Sequence, residues 1–233
     1  MERFIRTEWL IGRDKLCKLQ QAAVAVFGLG GVGAAAVEGL ARTGIGTLIL
    51  VDHDKVSLSN LNRQLIALES TVGCLKVEVA AERVRDINPD CNVITYPVFY
   101  QKQHEAAIFA HKPDYVVDAI DSVAAKLDLI EGCYRAQIPI VSAMGAGNRL
   151  DPTRFQVADI SKTHTCPLAK VIRAELRKRG IETGIKTVFS DEPALKVHKS
   201  EDGRNPPGSI AFVPPAAGYV LASVVVRDLL KHK

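Results

Sequence analysis

Four glycines at fixed spacing, Gly28, Gly30, Gly31 and Gly33 in the run Gly28-Leu29-Gly30-Gly31-Val32-Gly33, are the first residues of this chain whose types point to chemistry. The apolar run 22–27 precedes them, and the Ala- and Val-rich stretch 34–42 follows with good helix propensity. Glycines at such a turn let backbone N–H groups approach an anion at the helix N-terminus, where the peptide dipoles also favour negative charge. The turn alone is a weak signal. A strand before it, a helix after it and an acid at the end of the next strand make it specific. That acid is Asp52, which closes the apolar segment 47–51 and is placed to accept hydrogen bonds from ribose hydroxyls. The chemistry indicated is nucleotide binding.

The residues after Asp52 choose among nucleotides. A dinucleotide presents a pyrophosphate diester that one helix N-terminus can neutralise. ATP carries a charge of about −4 and needs further cations and usually a divalent metal. Arg63 can fork two phosphate oxygens, Lys76 can supply a point charge, and Asn60 can donate to a phosphate or the ribose. Asp121, just past a fourth apolar strand, stands at the carboxyl edge of the sheet, where it can hold Mg2+ or a metal-bound water. Asp118 is the second candidate for that role. The set reads as a site for ATP with Mg2+ rather than NAD.

These residues need a scaffold that brings strand ends together. Segments 22–27, 47–51, 92–98, 115–117 and 138–142 read as strands, alternating with helices over 34–42, 73–87, 103–110 and 124–136. That alternation predicts an α/β fold with a mostly parallel, doubly wound sheet covered on both faces. The last third differs. It reads as a strand over 155–160, a basic helix over 167–179, a polar, mobile loop near 190–209, and an apolar helix over 216–230 opened by Pro214-Pro215. We divide the chain into a nucleotide-binding core, 1–150, and a C-terminal extension, 151–233, for substrate binding and dimer contacts, completing the same domain. Prolines at one end and Arg227-Asp228 at the other leave the final helix short of the ~20 apolar residues of a membrane span. It reads as a core helix, with no membrane expected.

Composition agrees. With 233 residues, 47% of them hydrophobic and 24% charged, the chain can bury a sizeable core, which excludes disorder as an overall description. Five cysteines without a C-x-x-C argue against a disulfide framework and against structural zinc, and fit a reducing cytosol. The N-terminus has no secretory h-region, so a cytoplasmic location is expected. Residues 1–150 carry a net charge of −1 and residues 151–233 carry +5, so the positive surplus lies in the last third. Anionic partners, nucleic acid among them, suit such a surface.

The motifs taken together, Gly28–Gly33, Asp52-x-Asp54, Asn60-x-x-Arg63-Gln64, Lys76 and Asp118-x-x-Asp121, resemble the E1-like adenylyltransferases over roughly residues 6–145. The resemblance implies a Rossmann-like homodimer that adenylates a carboxylate with Mg-ATP. It implies Asp52 as ribose ligand, with Asp54 and Gln64 in the same nucleotide-binding motifs, and Asn60, Arg63 and Lys76 on the triphosphate. Asp121 would take the magnesium. An arginine near the N-terminus would reach into the partner's ATP site; Arg6 matches best and Arg13 is the alternative. The sulfur-carrier branch commonly has two C-x-x-C pairs, absent here. Thioester-forming members need a late cysteine, for which only Cys166 is available, and it reads as a plain small residue.

A narrower branch fits more of the chain. Ala41-Arg42-Thr43-Gly44-Ile45-Gly46, Asn62-Arg63-Gln64, Arg85-Asp86-Ile87-Asn88-Pro89, Gly145-Ala146-Gly147, Asp151-Pro152-Thr153, Asp159-Ile160-Ser161-Lys162-Thr163 and Pro206-Pro207-Gly208-Ser209 are similar to the tRNA threonylcarbamoyladenosine dehydratases. That resemblance implies adenylation of the carboxylate of N6-threonylcarbamoyladenosine at position 37 of the tRNA anticodon loop. Ring closure would follow, with AMP and pyrophosphate released. It also admits a cysteine desulfurase or sulfur-acceptor system as partner. Lys162, Lys170, Arg173, Arg177, Lys178 and Arg179 are the candidate tRNA-phosphate contacts. The main alternative is adenylation of the C-terminus of a ubiquitin-like or sulfur-carrier protein. A non-catalytic nucleotide sensor is weakened by the presence of Arg63, Lys76 and Asp121, and a dehydrogenase is weaker still.

Overall fold

The computed structural model describes residues 2–196 and 207–231. Seven strands form one sheet in the order β3-β2-β1-β4-β5-β7-β6. They are β1 (Ala23–Phe27), β2 (Thr47–Val51), β3 (Asn92–Tyr96), β4 (Tyr115–Asp118), β5 (Ile140–Ala143), β6 (Phe155–Asp159) and β7 (Lys186–Ser190). Every pairing is parallel except β6 with β7. This is the α/β, mostly parallel arrangement expected. Both strands of the last third lie in the same sheet as the nucleotide-binding strands.

The central strands are apolar on both faces because helices cover both. The two-residue period of a strand divides them. Val24, Val26, Leu48, Leu50 and Val117 face one core layer, while Ala25, Phe27, Ile49, Val51 and Val116 face the other. The first layer is closed by α3 (Gly31–Thr43), α4 (Lys76–Ile87) and α8 (Val213–Lys231), and the second by α6 (Val123–Ala136) and α7 (Pro167–Lys178). Helices α1 (Ile5–Ile11) and α2 (Arg13–Gln21) precede β1, and the short α5 (Glu105–Phe109) precedes β4.

Most expected elements are present, with shifted ends. Helix α4 begins at Lys76 rather than 73, because Gly73 takes a left-handed φ of 89° and Leu75 is extended. Strand β3 stops at Tyr96, since Pro97 has no N–H to continue the ladder. Strand β5 occupies Ile140–Ala143, two residues later than expected at its start. Helix α8 starts at Val213 and takes Pro214 and Pro215 into its first turn, where the missing N–H costs nothing. Strand β7 and helices α1 and α2 were not anticipated. The expected mobile loop near 190–209 falls partly, at 197–206, outside the described residues.

The apolar helix α8 is packed on α3 through small residues. A Cβ on Gly218 would lie 2.2 Å from the Val32 carbonyl oxygen and 2.7 Å from Ala35 Cβ. Near its other end, Asp228 accepts a hydrogen bond from Tyr115 Oη of β4 at 2.8 Å and another from Lys186 Nζ of β7. Burial alone would raise the Asp228 pKa, but the bonds from Lys186 and Tyr115 outweigh it and hold the carboxyl below its ordinary value.

Two outcomes follow from this packing. Gly218→Val forces α8 off α3 and should lower stability by roughly 1–3 kcal/mol, read in a denaturant melt. Because the folded-state pKa of Asp228 is depressed, its stabilisation is full above the ordinary carboxylate pKa of about 4 and is lost as pH falls through the depressed value. Asp228→Asn should therefore flatten the acid side of the stability-against-pH curve while lowering stability at neutral pH.

Candidate active site

Strand order reverses between β1 and β4, and the crevice at their carboxyl ends is where open α/β sheets bind ligands. Here it is a cleft of about 950 Å3 lined from the glycine turn to the start of α7. The turn is built by backbone contact. Gly28 has a left-handed φ of 83°, and a Cβ on it would lie 2.6 Å from the carbonyl oxygen of Ala119, past β4. A Cβ on Gly33 would lie 1.7 Å from Gly28 O, so α3 can start against its own turn only with glycine there. Gly30 and Gly31 line the cleft at the α3 N-terminus.

Asp52 is buried and holds the turn from the β2 side. Its Oδ2 accepts the Leu29 N–H at 2.6 Å and its Oδ1 the Asp54 N–H at 2.7 Å. Each carboxylate oxygen has a second lone pair for a ribose hydroxyl. Asp54 accepts from Lys76 Nζ at 2.7 Å, and the lysine side chain is only 6% exposed. Asn60 Oδ1 accepts the Ser57 N–H, which orients the amide and leaves its Nδ2 to donate. Arg63 Nη1 is held by Ser59 O and Asn62 Oδ1, both at 2.8 Å. Gln64 is buried, and its Oε1 has no partner among the described residues. A Cβ on Gly30 would sit 3.9 Å from Gln64 Nε2, so this amide stands beside the glycine turn. All of these residues line one cleft. A helix N-terminus, an arginine and a lysine fit the phosphates of a nucleoside triphosphate, and the orphaned amide oxygen can accept from a donor on its base or ribose. Asp52, His53 and Asp54 also bring three potential metal-ligating atoms within 4.8 Å of one another.

The two aspartates after β4 differ in kind. Asp121 is exposed in the cleft and makes no ion pair among the described residues, so its carboxylate is available to a cation. Asp118, the second metal candidate, is fully enclosed. Its Oδ2 accepts Lys126 Nζ at 2.7 Å and Ser142 Oγ at 2.6 Å, and its Oδ1 accepts the Ile120 N–H at 3.1 Å. Asp118 is thus a strut under the loop that presents Asp121 and is closed to a metal. Lys126 was missed in the sequence. Its only signal was a lysine among Ala125, Leu127, Leu129 and Ile130 on a helix otherwise facing the core.

The basic third is less free than its composition suggests. Arg173 Nη1 is turned inward onto Thr163 O and Oγ1, at 2.8 and 2.5 Å. Lys178 pairs with Glu175, and Arg179 pairs with Asp128 and Glu131. Lys162, Lys170 and Arg177 are exposed, with no ion pair among the described residues. Cys166 is buried at the N-terminal end of α7 and lines the cleft. Arg6 is exposed on α1, outside the cleft of its own chain, and Arg13 is exposed at the start of α2.

A glycine-cradled nucleotide cleft, with an aspartate past β4 that makes no ion pair among the described residues, defines a nucleotide-dependent α/β enzyme. The model of the ThiF family matches residues 4–233, and the chain belongs to this family. That bears out the E1-like resemblance read from the motifs. The chain is 46% identical to the tRNA threonylcarbamoyladenosine dehydratase of Bacillus subtilis, over 99% of this chain and 96% of that one. The structure of Escherichia coli tRNA N6-threonylcarbamoyladenosine dehydratase in complex with ATP superposes with a TM-score of 0.90 at 39% identity, covering 99% of this chain and 94% of that one. Its complex with AMP gives a TM-score of 0.91 at 38% identity, with the same coverage.

Replacing Lys126 by Met should strand the buried Asp118 charge. We expect a loss of about 3–5 kcal/mol of stability and, in the surviving folded fraction, weaker AMP formation as the Asp121 loop loses its anchor. Denaturant unfolding and AMP release measure the two effects.

Proposed function

We infer that this chain is an ATP-dependent tRNA threonylcarbamoyladenosine dehydratase. It adenylates the carboxylate of N6-threonylcarbamoyladenosine in the tRNA anticodon loop and closes it to the cyclic form, releasing AMP and pyrophosphate. The observation that carries the reading is a cleft lined by the glycine turn, Asp52, Arg63, Lys76 and Asp121, the last with no ion pair among the described residues, within a chain similar along nearly its whole length to such dehydratases.

The glycine turn and α3 N-terminus hold phosphate oxygens, Asp52 the ribose, and Arg63, Lys76 and Asn60 the triphosphate. Asp121 would hold Mg2+, which neutralises phosphate charge when bound. A substrate carboxylate oxygen attacks the α-phosphorus and pyrophosphate leaves. The acyl adenylate is then attacked at its carbonyl carbon by a nitrogen or oxygen of the same substrate, which gives its proton to solvent. AMP departs with the former carboxylate oxygen. The enzyme contributes positioning and electrostatic stabilisation of the pentacoordinate phosphorus. Held in one cleft, the two reacting groups need no thioester cysteine.

Exposed Lys162, Lys170 and Arg177 are the favoured phosphate contacts, with Arg173, Lys178 and Arg179 contributing only if their internal bonds are exchanged. The working unit is a homodimer in which Arg6 completes the neighbour's site, and its place is the cytoplasm. The exposed Trp9 and Leu10 on the same helix support an interface there.

Asp121→Ala should abolish tRNA-dependent AMP release while leaving the thermal melt unchanged; unchanged turnover would reject the assignment. Mixing Arg6→Ala with Asp121→Ala protein under subunit exchange should restore part of the activity, since mixed dimers keep one intact site. Replacing Lys162, Lys170 and Arg177 together by Gln should weaken tRNA binding and flatten its salt slope by about two to three units. ATP affinity should be unaffected.

A further inference from the structure

Past the nucleotide residues the cleft runs along the segment after β5, Gly145-Ala146-Gly147-Asn148-Arg149, and one of its walls is the side chain of Arg149. This arginine is only 4% exposed. Its Nε donates to Glu192 O at 3.2 Å, and its Nη1 donates to Gly145 O at 2.6 Å and Gly147 O at 3.1 Å. Its Nη2 is buried with no partner among the described residues. The nearest acid in the same network, Glu192, points its carboxylate at the N–H groups of Leu150 and Asp151 and forms no ion pair with the guanidinium. Arg149 is therefore a buried cation held by carbonyls, with no counter-ion among the described residues and one donor group unspent. Such a charge is costly unless something anionic completes it.

The triphosphate already has its own candidate cations, Arg63 and Lys76, in the same cleft. We propose that Arg149 binds the carboxylate of the threonylcarbamoyl group and is the residue by which the cleft recognises a substrate carrying that acid. This rests on the dehydratase reading above. A carboxylate must approach the α-phosphate of an anionic nucleotide, and a guanidinium on the substrate side offsets the repulsion and fixes the attacking oxygen. Adenylation removes the charge, and the cyclic product has no carboxylate at all. Arg149 thus holds the substrate and lets go of the product. The carbonyl bonds from Nε and Nη1 orient the group; the recognition comes from its charge and its free Nη2.

The test is binding of three tRNAs without ATP: one with the threonylcarbamoyl group, one with its carboxylate methyl-esterified, and one unmodified. The unaltered enzyme should prefer the free acid over both others by roughly tenfold. Arg149→Gln should lose that preference while binding unmodified tRNA and ATP as before, and Arg149→Lys, which keeps the charge, should recover part of it. A purely structural arginine would shift all three tRNAs together. Equal binding of acid and ester by the unaltered enzyme overturns the proposal and needs no variant to fold. So does an Arg149→Gln protein that keeps the full preference. If the unaltered enzyme also releases no AMP with the modified tRNA, the dehydratase reading falls with it.

Discussion

The close approach of two backbone turns, Gly28 to Gly33 after β1 and Ala119 after β4, is the constraint on which the rest of the site depends. The carbonyl of Ala119 occupies the place where a side chain on residue 28 would be, and the carbonyl of Gly28 occupies the place of one on residue 33. This contact fuses the phosphate-binding turn to the loop bearing Asp121. The adjacent parallel strands β1 and β4 set the distance, and glycine is what lets it be so short. Anion-binding N–H groups and the candidate metal carboxylate are thereby held on one rigid edge.

Around that edge the charges come in three states, and the difference is functional. Asp118 and Lys126 are fully buried and neutralise each other, so they support the loop and do no chemistry. Lys76 and Asp54 are paired at the cleft wall, where an arriving phosphate can compete for the lysine. Asp121 and Arg149 lack partners of opposite charge among the described residues and line the same cleft. In the function proposed above, a cation and an anion of the ligands would complete them, and electrostatic preorganisation of this kind would let the cleft accept two negatively charged reactants together.

The sequence made the nucleotide half legible because its devices are local. A glycine spacing, an acid closing an apolar strand, and Asn60, Arg63 and Lys76 in order can all be read along the chain. The second half depends on contacts far apart in sequence. Strand β7 was hidden because Thr187 and Ser190, polar by type, are buried, and because it inserts between β5 and β6, parallel to the first and antiparallel to the second. Lys126 and Arg149 went unmarked, since nothing local says that Asp118 and the carbonyls of Gly145 and Gly147 will enclose them. The converse holds in and just after α7, where Arg173, Lys178 and Arg179 were read as candidate tRNA-phosphate contacts and the structure shows them engaged within the chain. Acids from α6 and the carbonyl of Thr163 engage Arg179 and Arg173, and Glu175 on α7 itself engages Lys178.

One chemical event defines the proposed activity, the loss of water from the modified adenosine driven by ATP. Mass spectrometry of nucleosides from tRNA incubated with enzyme and Mg-ATP reads it directly. The threonylcarbamoyladenosine peak should be replaced by one lighter by a single water, with one AMP formed per conversion and none from tRNA lacking the modification. An unchanged nucleoside profile alongside AMP formation on a protein C-terminus would contradict it.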